Sequence, residues 1–98
     1  MKYKHTQRIK SCDIDNKELA KEIGDLYYDS LEEFLVELAR KIKSDAKADE
    51  ARGRKKLAKA LFDASLHIQE ASQSIAKAWD ISKPYVDAFF QDKKSNRD

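Results

Sequence analysis

His67 and Glu70 stand three residues apart and Glu33 and Glu37 four apart, spacings that put each pair on one helical face. An imidazole beside a carboxylate can bind a metal or move a proton, and di-iron bundles use Glu-x-x-His pairs on facing helices with further glutamates. Here the order is reversed, and the one other histidine is His5, near the start of the chain. Two histidines and one reversed pair do not fill a metal shell. His67 is therefore expected as a partly buried, hydrogen-bonded side chain at a helix interface, and no metal or cofactor is expected. Gly24 and Gly53 stand alone, outside any phosphate-binding loop or nucleophile elbow. The chain is expected not to be an enzyme, and a metal-binding four-helix-bundle enzyme is the chemical alternative.

A second constellation is cationic. Arg52, Lys55, Lys56 and Lys59 follow an i, i+3, i+4, i+7 pattern, and Arg40, Lys43 and Lys47 approach the same region from the preceding helix. Cations in the first turn of a helix oppose its macrodipole, so an anionic partner would relieve them. That partner could be an acidic protein surface or a phosphate backbone. No aromatic residue is interleaved to stack on bases, which leaves nucleic-acid binding as an alternative and a solvated face as the plainest reading.

The net charge of +2 hides a strong segregation. Residues 1–12 carry four basic groups and no acid, residues 13–37 nine acids against Lys17 and Lys21, and residues 38–59 nine basic groups against Asp45, Asp49 and Glu50. Such a chain favours antiparallel docking of two copies, or attraction of a charged partner.

The elements that carry these residues can be read from composition and period. A chain of 98 residues makes one domain with a thin core. No apolar run reaches the length of a signal peptide or a membrane span, and the lone Cys12 points to a reducing compartment, so a cytoplasmic location is expected. Two glycines and one proline leave too few turns for a sandwich or barrel. Helices remain. Residues 1–14, with Tyr3, His5, Ile9 and Ile14, read as an arm, 15–91 as a single helical domain and 92–98 as a polar, frayed tail.

Asp15 and Glu18 form a capping-box signature and Leu19, Ile23, Leu26 and Tyr27 recur at helical spacing, so helix one is expected to start near Asn16, with Gly24 permitting close helix approach. Ser30 and Glu33 repeat the signature, which predicts a break near Asp29 and a second helix over 31–48 carrying Leu31, Phe34, Leu35, Leu38 and Ile42. The alternative is one helix from 16 to about 48. Gly53 is a candidate cap after helix two; if Asp49 caps the next helix instead, Gly53 falls in its first turns.

Leu57, Leu61, Ala64, Ile68, Ala71, Ile75 and Ala78 alternate spacings of four and three, an unbroken heptad seam. With Trp79 and Phe62 on its flanks, this third helix, over about 54–80, is expected to be the inner, most buried one, its seam serving as core or subunit contact. Pro84 suits the first turn of a short last helix with Tyr85, Val86, Phe89 and Phe90. Phe89 and Phe90 cannot both point inward, so one of them is expected in a docking patch or dimer contact. Helix three would span roughly 40 Å and helix two about 27 Å. One long and three short helices close poorly as a monomer. The expected fold is therefore all-α, an up-and-down helical bundle built on a long helical hairpin and completed by dimerisation.

The stretch from Tyr28 to Pro84, containing LEEFLVELARKIKSDAKADEARGRKKLAKALFDASLHIQEASQSIAKAWDISKP, resembles small all-helical cyanobacterial proteins of the kind named for heterocyst differentiation. The resemblance implies a cytoplasmic regulatory or accessory role and carries over no functional residue. Residues and resemblance together predict a non-enzymatic regulatory or adaptor protein that forms a homodimer and recognises a protein partner through helix faces.

Overall fold

The computed structural model describes residues 5–95, with side chains through residue 88. It contains three helices, α1 (Asn16–Gly24), α2 (Tyr28–Ala51) and α3 (Lys55–Ser95), and no strand among the described residues. Residues 5–15 form neither helix nor strand; Tyr3 lies outside the described residues, as do residues 96–98 of the tail.

The first capping signature works as its chemistry requires. The Glu18 backbone N–H donates to Asp15 Oδ1 at 2.9 Å, and α1 begins at Asn16. The second does not. α1 ends at Gly24, Asp25 caps it with its N–H on the Lys21 carbonyl, and α2 starts at Tyr28, so the break falls at residues 25–27 rather than near Asp29. Ser30 lies inside α2, where its N–H donates to Asp29 Oδ1 at 2.7 Å. Gly24 is exposed, and a Cβ added there would meet nothing within 4 Å. It marks a helix end and permits no close approach.

Between α2 and α3 the chain reverses through a Schellman turn. Gly53 takes φ 81°, its N–H donates to the Glu50 carbonyl at 3.0 Å, and the Arg54 N–H reaches the Asp49 carbonyl at 2.9 Å. Only glycine adopts this φ without steric cost. The hydrophobic contact that often seals such a turn is replaced by charge: Asp49, with a side chain only 13% exposed, faces Arg54 at 3.4 Å and Arg52 at 3.9 Å.

α3 does not stop near residue 80. It runs through Pro84 to Ser95 as one 41-residue helix, so the separate last helix is absent and residues 92–95 are helical. The heptad period carries on past the proline through Ser82 and Val86, both half-buried. Asp80 and Pro84 are exposed, so water can bond the carbonyl that Pro84 leaves without a donor.

α2 and α3 pack side by side along most of α2, whereas α1 makes no comparable contact with either. The line of contact is built from small residues. Ala39, Ala46, Ala58, Ser65 and Ser72 are buried, and Ser65 Oγ donates to the Ala39 carbonyl at 2.8 Å. Side chains this small let helix axes approach to about 8 Å. Among the described residues no large side chain is fully buried. The protein measures 63 × 30 × 17 Å, its smallest dimension less than that of two stacked helices about 10–12 Å across each. α3 is thus not enclosed on several sides as its composition suggested.

Candidate protein interface

Ser65 opposite Ala39 fixes the register of the pair. Along α3 the contact with α2 runs through Ala58, Leu61, Ser65, Ile68, Ser72 and Ile75, a heptad series whose buried members are Ala58, Ser65 and Ser72, and Trp79 continues the series beyond the start of α2. Leu61, Ile68, Ile75 and Trp79 are half-buried. The other members of the expected seam stand one column further round. Leu57 is 47% exposed, Ala71 is exposed, and Ala64 and Ala78 are half-buried. As the line of contact with α2, the expected seam is therefore displaced by one column, because alanine and serine at 58, 65 and 72 allow the closer approach.

On α2 the buried column is Ala39 and Ala46. Beside it lie Leu35 and Ile42, then Leu31 and Leu38, all half-buried, and then Phe34, 38% exposed. In an antiparallel pair these columns turn to the same side as Leu57, Ala64, Ala71 and Ala78 of α3. The opposite side confirms the geometry: a shallow groove there is lined by Val36, Arg40 and Lys43 of α2 and Gln69 and Gln73 of α3. The pair therefore has one apolar side and one largely polar side, the latter interrupted by Phe62 and by Leu66, which is 52% exposed.

The cationic residues gather near the turn. Lys43, Lys47, Lys55 and Lys59 fall on the polar side by helical spacing, Lys56 points away from α2, and Arg52 belongs to the turn itself. Several are already paired: Arg40 with Glu37 at 2.7 Å, Lys59 with Asp63 at 2.9 Å, and Arg52 with Asp49. No acid lies in the first turn of α3, so the unfavourable dipole term anticipated for Lys55 and Lys56 is present, with Asp49 of α2 as the nearby counter-charge.

His67 is not at a helix interface. Its side chain is 75% exposed and Nδ1 lies 3.9 Å from Glu70 Oε2, because position 67 falls on the outer face of α3. Among the described residues no three His, Cys, Asp or Glu side chains form a group able to hold a metal ion. No described helix is long and apolar enough to cross a membrane. The Phe89 and Phe90 side chains lie outside the described residues.

Ala58, Ser65 and Ser72, which sequence reasoning places as small residues flanking the seam that let a neighbouring helix approach closely, form the buried line itself. Its signal was the seven-residue recurrence of Ala or Ser, matched by Ala39 and Ala46 on α2. No family model, curated protein or solved structure matches this chain.

Proposed function

We propose that this chain is a non-enzymatic regulatory or adaptor protein whose helical hairpin works by protein–protein contact, with homodimerisation completing the bundle. One observation carries the reading: the hairpin leaves an apolar side uncovered while, among the described residues, burying no large side chain. Leu31, Phe34 and Leu38 of α2 and Leu57, Ala64 and Ala71 of α3 contribute to it. A patch of this kind on a thin protein marks an interaction surface, and a lone pair of helices buries too little to be stable by itself.

Ala71→Glu tests the reading, since residue 71 is exposed in the isolated hairpin and glutamate is a good helix former. The variant should remain helical by circular dichroism, while light scattering after gel filtration shows a fall from dimer mass to monomer mass. A wild-type chain that is monomeric at high concentration, and retains no protein from native extract after nuclease treatment, would remove the reading. Nucleic acid lost on nuclease treatment and on Lys55→Glu with Lys56→Glu would put a phosphate-binding role in its place.

A further inference from the structure

The apolar side has an internal geometry that selects both its occupant and the direction in which that occupant lies. We propose that a second copy of this chain covers it with direction reversed, α3 against the partner's α3 and α2 against the partner's α2, so that the two interhelical turns lie at opposite ends of the dimer. The inference rests on the homodimer reading above and adds its surface, register and polarity.

Side-chain volume supplies the first argument. The outward columns of α3 alternate large Leu61, Ile68 and Ile75 with small Ala64, Ala71 and Ala78. Two copies of α3 running in the same direction would set large against large and alanine against alanine, leaving layers alternately overfilled and empty. Reversing one copy about a point midway between Gln69 and Glu70 pairs Leu61 with the partner's Ala78, Ile68 with the partner's Ala71, and Ile75 with the partner's Ala64. Every layer then holds one large and one small side chain, the arrangement that packs without voids. The same operation sets Leu57 against the partner's Ser82, again large on small.

The second argument comes from α2 and is independent of the first. With Ala39 opposite Ser65, the point midway between Gln69 and Glu70 lies level with the point midway between Phe34 and Leu35. Reversal about that point sets Leu31 against the partner's Leu38, and Phe34 against the partner's Leu35. The apolar stripes of both helices therefore share one centre. A single two-fold axis perpendicular to the helices satisfies both, as an isologous contact requires.

Net charge, acting at long range because Lys43, Lys47, Lys55 and Lys59 stand on the other side of the pair, disfavours the main competitor. A two-fold axis parallel to the helices would put both turns at one end, stacking two copies of a segment, residues 38–59, with nine basic groups against three acids. Reversal instead separates the two turns and brings residues 38–41 level with residues 28–31 at the start of the partner's α2, beside Glu32 and Glu33. Arg40 and Lys43 then come level with the partner's Asp29 and the residues just before it.

Single-cysteine cross-linking in a Cys12→Ser background reads the polarity directly, using a short bis-maleimide and checking helicity and mass of each variant first. Ala71→Cys, close to the axis, should cross-link to itself. Leu57→Cys and Ser82→Cys should each give little product alone, because equivalent residues would be about 38 Å apart, yet yield cross-linked dimer at least several-fold faster when mixed. A dimer in which Leu57→Cys or Ser82→Cys links to itself as fast as the mixture overturns the reversed register and leaves the homodimer standing. So does a dimer in which neither the mixture nor Ala71→Cys reacts. A chain that stays monomeric throughout overturns the second copy as occupant, and the adaptor reading then rests on a different protein.

Discussion

Ser65 and Ala46 show how much of this protein depends on what is not there. Ala46 is 0% exposed at the contact of α2 with α3, and Ser65 tucks its hydroxyl onto the Ala39 carbonyl, so each occupies a place where a longer side chain would push the helices apart. The serine hydroxyl turns inward without cost because the helix carbonyl keeps it hydrogen-bonded, and Ser72 does the same on the Gln69 carbonyl at 2.6 Å. Replacing Ala46 by Leu raises hydrophobicity at a buried site yet should lower stability by about 1–3 kcal/mol, since the added volume has nowhere to go. Thermal and urea unfolding of the variant beside wild type measures this; equal or higher stability would mean that the two helices are not closely seated at that point.

At the scale of elements, what could be read in the sequence and what could not follow from how local each signal is. The start of α1 was legible because Asp15 acts on an N–H three residues away. The break before α2 was misplaced because Ser30 and Glu33 carry the same local signature, and nothing local reveals that Asp25 and its N–H already end α1. The period of α3 was legible, but the column that α2 chooses was not: large and small columns are adjacent, and the choice depends on the matching Ala39 and Ala46 of another helix. His67 was expected at a helix interface in place of a metal ligand, although its position in the period points outward. Pro84 was read as a boundary, since a proline inside a helix costs about 3 kcal/mol. The unbroken α3 implies that this cost is borne in place, so Pro84→Ala should stabilise the chain by up to about that amount, raising the midpoint of thermal unfolding followed at 222 nm (a standard helix wavelength). No rise would show that residues beyond 84 unfold separately from the rest of α3.

For the molecule as a whole, the uneven helix lengths dominate. α2 has 24 residues and α3 has 41, so with Ser65 opposite Ala39 about 19 residues of α3 extend beyond the start of α2, roughly 28 Å of helix. An assembly held together largely by contact between copies should show an unfolding temperature that climbs with protein concentration, and scans over a hundredfold dilution series test this. A temperature that stays constant across the series would assign the stability to the single hairpin. The same overhang has a mechanical side. A helix that passes from the turn at Gly53 to Ser95 without a break, Pro84 included, can carry a twist applied at its far tip toward the seam where Ser65 meets Ala39. Inserting seven residues after Ser82 would lengthen that shaft and keep its faces nearly in phase, whereas inserting two would swing the tip by more than half a turn.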